Sequence, residues 1–374
     1  MHKIRIMYVI WSLGLGGAEQ VIINLIRGLD RDRFEPMVCC LNEEGAFAGL
    51  VKERGVPVFA LRKKTGLDLS TIGKIRRLLK EHRVDILHGH LWGGNLWGRL
   101  AARAARTPVV VVTEHNVDVW KKWHHKAMDR FLAGWTDKVI VVSQKVKDFY
   151  RSEVGLPEDK LVVIYNGIPL PGDPCPVRRQ QALKKELGVA DGIPVIANIG
   201  RLVPAKANHV FIEALRVLLK EGTPFQALIV GDGPLRRRLE EEGRDLVRDG
   251  VLCFTGLRQD VSDILDITDI AALSSTREGF SIVVLECMAK GIPFVATNVG
   301  GNDEQIIDGQ TGFLTEVNDP RALAAAMSRL VKDGRLRRWM GQRARDRLRH
   351  HFSLSVMVKQ TQDLYRCLLS QILR

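Results

Sequence analysis

The feature that most narrows the fold is a set of short, largely apolar runs. Residues 108–113 read PVVVVT, and comparable runs stand at 3–11 (KIRIMYVIW), 35–41, 56–61, 84–88 and 138–142. A strand with one face in water alternates apolar and polar residues, whereas a continuous β-branched run fits a strand buried on both faces. Such strands belong to a parallel sheet covered by helices on each side. The stretches between them supply the helices: after the first run, Val21, Ile22, Leu25, Ile26 and Leu29 recur at helical spacing. A second series begins at Ile193 with IPVIANIG and continues through 227–235, 251–260, 270–274 and 293–297. Between the two series, Tyr165 to Gln180 holds Pro169, Pro171, Pro174 and Pro176 with Gly167 and Gly172. That density forbids regular structure and marks a boundary. The 374 residues therefore read as two α/β domains of Rossmann-like type.

Composition excludes several function classes. The hydrophobic share of 45% and charged share of 26% are those of an ordinary globular protein. The net charge of +13 implies an anionic partner, which charge alone does not choose among nucleic acid, acidic substrate and anionic lipid. No zinc site or aromatic RNA-binding motif accompanies the basic stretches, which argues against nucleic acid. The six cysteines form no CxxC and no metal-ligand spacing, as expected of a reduced, cytoplasmic protein. No apolar run approaches the ~18 residues of a membrane span. His2, Lys3 and Arg5 ahead of an apolar run imitate a signal peptide, but that run ends in Gly14-Leu15-Gly16-Gly17 and passes into an amphipathic helix, as a first βα unit should.

The chemistry concentrates between Ser274 and Gly301. Glu278-Gly279-Phe280-Ser281 precedes the apolar run Ile282 to Leu285, then Glu286. Ser281 is a good N-cap and Gly291 before Pro293 a good stop, so a helix is expected from about Ser281, with Glu286 roughly 7 Å along it. A helix N-terminus attracts phosphate, and the N–H groups of Gly279, Phe280 and Ser281 are expected to face the ligand. Carboxylates beside it accept hydrogen bonds from sugar hydroxyls, so the combination suits a nucleoside diphosphate carrying a sugar. The Glu-x7-Glu spacing alone more readily gives Glu278 as a helix-start charge and Glu286 as a solvated face residue. In a loop between strand and helix, Arg201 and Lys206 make a second candidate: two cations beside a helix start hold pyrophosphate, though two solvated surface cations share the spacing.

The first domain offers weaker signals. GLGGAE at 14–19 lacks the third glycine of a dinucleotide fingerprint, although Glu43 or Glu44 could play the ribose acid. Histidines cluster at strand ends, where open α/β sheets place ligands: His88 and His90 in DILHGH, and His115 in VTEH. A histidine at a strand end is more often a satisfied structural side chain than a catalytic one. The stretch from Trp120 to Trp135 mixes aromatics with Lys121, Lys122, His125 and Lys126. It fits either a membrane-interface helix or a surface helix whose aromatics join the core. The basic patches at 73–83 and 98–106 favour an anionic, lipid-linked acceptor or a membrane surface.

The Ser274–Gly301 run, together with Gly200-Arg201-Leu202 and Lys206 and with Gly-Gly-Ala-Glu at 16–19, resembles the retaining glycosyltransferases of family 4. The likeness extends nearly end to end over 193–320. It implies the GT-B fold: an acceptor-binding domain over 1–170, a linker over 171–190 and a donor-binding domain over 191–353, facing a central cleft, with a last helix at about 354–374 crossing back. By the same resemblance, Glu278 contacts the donor sugar and Glu286 the ribose. Gly279, Phe280 and Ser281 lie against sugar and phosphate through main chain, and Arg201 and Lys206 are the phosphate pair. Gly256, Leu257 and Arg258 grip the base through main chain, with the Gly231–Pro234 turn nearby. Gly16 and Gly17 approach the donor phosphate and the acceptor, and His115, with Glu278, stands at the transferring sugar. Two positions depart from the family pattern: Cys287 where alanine is usual, and Ala207 after Lys206 where glycine often stands. The implied reaction moves a sugar from a UDP- or GDP-sugar to a lipid-linked or surface-polysaccharide acceptor, with retention of configuration and with no metal or other cofactor. A nucleotide-sugar epimerase or hydrolase, a non-catalytic nucleotide-sugar-binding or membrane module and, more distantly, an NAD-dependent dehydrogenase remain as alternatives. The expected location is cytoplasmic, peripheral on the inner face of the membrane.

Overall fold

The computed structural model describes residues 3–372, which divide into two units. One comprises the chain up to Pro169 together with Ser353 onward; the other is Leu170–Phe352. Each is built on a parallel sheet.

The first unit contains β1 (Ile4–Ile10), β2 (Phe34–Cys40), β3 (Val58–Ala60), β4 (Ile86–His90), β5 (Val109–Glu114), β6 (Lys138–Val141) and β7 (Leu161–Val163), in the order β3-β2-β1-β4-β5-β6-β7. The apolar runs read above become these strands within two residues at most ends. β7 is missed because three residues carry no pattern. The order reverses between β1 and β4, paired in register Tyr8 to His88. At such a reversal the neighbouring helices leave in opposite directions and open a crevice at the strands' carboxyl ends. The Leu91–Ala105 helix returns along β1 so closely that a Cβ on Gly94 would lie 2.2 Å from the Val9 carbonyl oxygen. Met7, Val9, Leu87, Trp97 and Ala101 form the core beneath it.

The last helix runs Leu354–Ile372 and packs on the Gly17–Gly28 helix of this first unit, where a Cβ on Gly28 would meet Val358 at 2.6 Å. The Asp30 amide donates to the Gln362 side chain at 2.8 Å, and the Tyr365 hydroxyl shares a 2.5 Å hydrogen bond with His88. The final two positions of the expected 354–374 helix lie outside the described residues.

The second unit contains β8 (Val195–Ile199), β9 (Gln226–Val230), β10 (Leu252–Gly256), β11 (Ile270–Leu273), β12 (Phe294–Thr297) and β13 (Gly312–Thr315), ordered β10-β9-β8-β11-β12-β13, with the reversal between β8 and β11. Two expectations need correction here. Glycine signals a turn by residue type, yet Gly312 is the first residue of β13; it is glycine because a Cβ would lie 2.2 Å from the Phe294 carbonyl oxygen. The expected linker over 171–190 contains a helix, Val177–Glu186, and belongs to the second unit. The prolines all precede that helix, and Pro176 is its N-cap. Proline's missing N–H costs nothing at a helix start. Arg179 then ties the helix to Asp260 at 2.6 Å and Asp263 at 3.1 Å. No helix among the described residues is long and apolar enough to cross a membrane.

Candidate active site

In the second unit the loops after β8 and β11 flank the strand-order reversal, and they carry the residues singled out by sequence. The loop after β8 runs from Gly200 to Ala207 and holds Arg201 and Lys206. The loop after β11 runs from Ser274 to Ser281 and holds Glu278. They are joined by an ion pair: Lys206 Nζ lies 2.6 Å from Glu278 Oε1, which also accepts from Ser275 Oγ at 2.6 Å. Glu278 is nearly buried, so its charge is matched inside the protein, as a buried carboxylate requires. Arg201, by contrast, is exposed and has no side-chain partner among the described residues. The expected phosphate pair therefore consists of one committed cation and one free one.

Both loops are held by close backbone approach. A Cβ on Gly300 would lie 1.9 Å from the Glu278 carbonyl oxygen, and the Gly301 amide donates to the Gly279 carbonyl at 2.9 Å. The Gly-Asp-Gly-Pro turn supports the other loop: Leu202 N–H donates to the Asp232 carbonyl at 2.9 Å, and a Cβ on Gly231 would meet the Gly200 carbonyl oxygen at 2.0 Å. Ala207, where glycine would be at ease, adopts the left-handed conformation with φ 44°.

The helix after Glu278 runs Ile282–Lys290, capped by Ser281 and ended by Gly291 at φ 72°. Two details differ from expectation. The Ser281 hydroxyl makes no capping bond. The Ser281 N–H, expected to face a ligand, is taken: Gln305 accepts from it at 3.0 Å and donates to the Ser281 carbonyl at 2.8 Å. This side-chain clamp satisfies the main chain at the point where the strand-end loop becomes helix. The N–H groups of Ile282, Val283 and Val284 keep no partner among the described residues, as the first turn of any helix leaves them. Phe280 is buried with its ring edge-on to Phe352 at 5.2 Å, so only its main chain can serve a ligand. Glu286, one turn further on, has no ion-pair partner among the described residues. Burial pushes its carboxyl up to about 7.

At the end of β10, Gly256 takes φ 71° and its carbonyl accepts from Gly231 N–H at 2.9 Å. Leu257 is exposed. The Arg258 side chain is committed elsewhere, to Glu186 at 2.5 Å and Asp260 at 2.8 Å. These contacts leave main chain as what this segment offers a ligand. Cys175, Asp263 and Asp266 also come together, a cluster invisible to sequence spacing. Its carboxylates are already ion-paired, Asp263 with Arg179 and Asp266 with Lys290.

In the first unit, Gly16 caps the Gly17–Gly28 helix in extended conformation. His88, His90 and His115 gather at the ends of β4 and β5. His88 is fully buried between Tyr365 and Thr113 Oγ1, the latter at 2.7 Å. His90 Nδ1 lies 3.0 Å from His115 Nε2. Burial pushes His115 down to about 3, so it presents a neutral imidazole at physiological pH. Lys121, grouped by sequence with the cations of the Trp120–Trp135 stretch, is buried. Its ammonium stands 2.9 Å from Asp129, 3.4 Å from Asp118 and 3.6 Å from Glu114. Burial opposes its charge, but the three carboxylates outweigh that and raise its pKa. The network braces the segment that carries His115.

Comparison with known proteins bears on the family and the fold. Residues 15–170 match the family model described as Glycosyltransferase Family 4, and residues 179–347 match Glycosyl transferases group 1. The Escherichia coli UDP-Gal:alpha-D-GlcNAc-diphosphoundecaprenol alpha-1,3-galactosyltransferase is 27% identical, covering 97% of each chain. The Bacillus anthracis N-acetyl-alpha-D-glucosaminyl L-malate synthase is 28% identical over 80% of this chain and 78% of its own. Among solved structures, Anabaena Alr3699/HepE in complex with UDP and glucose superposes with a TM-score of 0.85 at 24% identity, covering 96% of this chain and 99% of that one, a likeness of fold. Two Rossmann-like units, the strand-end loops and both family matches lead to one assignment: the chain belongs to the family 4 glycosyltransferases of the group 1 type.

Proposed function

We propose that the protein transfers a glycosyl group from a nucleoside diphosphate sugar to a lipid-linked acceptor, with retention of configuration. The observation that carries this reading is the Lys206–Glu278 ion pair at the strand-order reversal, with Arg201 free beside it in sequence. An arriving diphosphate competes for Lys206 and meets Arg201 and the amides of Ile282 to Val284. Glu278, released from Lys206, accepts hydrogen bonds from the sugar, and Glu286 accepts from the ribose. Charge that grows on the leaving diphosphate is then met by fixed cations and amides, a transition-state effect and not a ground-state one. Gly256, Leu257 and Arg258 offer main chain to the base. Gly16 and Gly17 allow close approach in the first unit, where neutral His115 donates or accepts a hydrogen bond at the transferring sugar. With no enzyme carboxylate assigned as nucleophile, same-face attack assisted by the departing phosphate accounts for retention. No metal is required by this scheme.

The names of the relatives support the finer choices. The E. coli enzyme's name gives a UDP-sugar donor and a diphosphoundecaprenol acceptor. That name favours uridine over guanosine. The test is release of nucleoside diphosphate from a panel of UDP- and GDP-sugars, with and without lipid extract, and the anomeric configuration of the product by NMR. Release from one donor, increased by extract and lost in Glu278→Ala, is expected. Equal release without any acceptor would identify a hydrolase or epimerase, and an inverted anomer would remove the same-face mechanism.

A further inference from the structure

The Trp123–Ala133 helix sits on its unit with the usual polarity reversed. A surface helix ordinarily buries an apolar stripe and turns charges to water. Here Asp129 is buried alongside Leu132 and Ala133. It is held by Arg99 at 2.7 Å and Lys121 at 2.9 Å. The aromatic side faces out: Trp123 is 80% exposed and Phe131 61%. Trp123, Ala127, Phe131 and Trp135 recur every four residues, so they form one stripe. The rings of Phe131 and Trp135 touch edge to face at 4.9 Å. Val119 and Trp120, both exposed, extend the apolar surface ahead of the helix.

Cations border this stripe. Lys122 and Arg130 are exposed on the same segment. At its far end the Arg103 guanidinium stands 5.7 Å from the Trp135 ring centroid. Arg103, Arg106 and Lys160 line a recess of about 380 Å³ with Trp135 and Thr107, whose hydroxyl has no partner among the described residues. Lysine is depleted from the core of protein-protein interfaces, and Lys122 and Lys160 stand beside this surface. A bilayer surface accepts both: aromatic rings settle among headgroups while arginines meet lipid phosphates. For a bilayer partner, these cations and the net charge of +13 favour anionic over zwitterionic lipid.

We propose that this helix docks the protein on an anionic lipid bilayer, its Trp123–Phe131 stripe entering the headgroup region and Arg103 and Arg106 taking lipid phosphates. The inference extends the lipid-linked-acceptor reading above, since an enzyme seated this way meets its acceptor at the membrane surface. It stands on geometry independent of the donor site.

The test is flotation of the full chain with phosphatidylcholine vesicles and with vesicles that also contain phosphatidylglycerol. The wild type is expected to float with the anionic vesicles and to be released by high salt. Trp123→Ser with Phe131→Ser should lower partitioning by about tenfold or more, from the apolar area withdrawn. Arg103→Gln with Arg106→Gln should remove the preference for anionic lipid. All four side chains lie at the surface or on the recess, so circular dichroism is expected to show both variants folded. Wild type that stays with buffer, or variants that float equally, would overturn the proposal. So would a wild-type dimer in sedimentation equilibrium that the aromatic variant dissolves, since the face would then serve a second copy. Flotation without turnover of any nucleotide-sugar would remove the proposed activity and leave the docking surface intact, whereas turnover without flotation would do the reverse.

Discussion

Arg201 and Lys206 stand five residues apart, yet the structure gives them different jobs. Lys206 neutralises Glu278 in the unliganded protein; Arg201 has nothing to neutralise. Arg201→Ala should therefore leave stability unchanged and lower the rate of nucleoside diphosphate release roughly a hundred- to a thousandfold, as removal of a transition-state donor does. An unaltered rate would take Arg201 out of the site. Glu286 makes a second prediction, through pH. Its carboxyl is raised by burial from the ordinary 4.5 to about 7. The folded state thus holds a proton that the unfolded chain has already released. The stabilisation is full below about pH 4.5 and is lost as pH rises through about 7. Urea midpoints for the wild type should fall across that window, and Glu286→Gln should flatten the fall. Parallel curves for the two proteins would mean the carboxyl titrates normally. These residues also show what sequence conveys. Glu278, Glu286, Arg201 and Lys206 are legible because each sits in a local motif. The pairing of Lys206 with Glu278 spans 72 positions, and no spacing rule reaches that far. Gln305, which clamps Ser281 from 24 residues away, carries no signal at all. Lys121 looks like surface charge because its three carboxylate partners are ordinary acids until the loop folds.

At the scale of elements, the legible features are those written in one stretch of chain. Unbroken valine and isoleucine runs give the parallel strands, and Ser281 and Gly291 bound their helix. Elements fail to announce themselves where packing decides: β13 begins at a glycine chosen for closeness to β12, and the Val177–Glu186 helix hides behind the prolines that start it. The 3₁₀ turn Pro204–Lys206 shows a local rule broken. It ends at Ala207, buried and left-handed with φ 44°. That conformation costs an L-residue about 1–2 kcal/mol, against ~0.8 kcal/mol for the methyl burial that glycine would forfeit. Ala207→Gly should accordingly leave the protein as stable or up to about 1 kcal/mol more so, read as an unchanged or raised denaturation midpoint. A clear loss of stability would mean the methyl contact outweighs the strain. The Trp123–Ala133 helix is the opposite case. Its sequence admits a core or an interface, and the buried Asp129 ion pairs show which face the domain uses.

At the scale of the molecule, the two ends of the chain meet in one unit, and the whole second unit is an excursion between Pro169 and Ser353. The returning helix is anchored by Tyr365, whose hydroxyl meets His88 where neither side chain sees solvent. Tyr365→Phe would strand that histidine nitrogen at a cost of about 1–3 kcal/mol. A chain stopped at Phe352 should retain a protease-resistant second unit while the first loses hydrogen-exchange protection. Equal protection of both would show the last helix to be dispensable. Closure by the final segment also sets an order of events during synthesis. The first sheet emerges early but waits for the last helix, while the inserted unit can finish on its own. At about 5–20 residues per second, that wait is on the order of ten seconds. Throughout it, the face of the Gly17–Gly28 helix that later receives Val358 stays bare, so the nascent first unit, and not the later one, is the part expected to expose apolar surface longest.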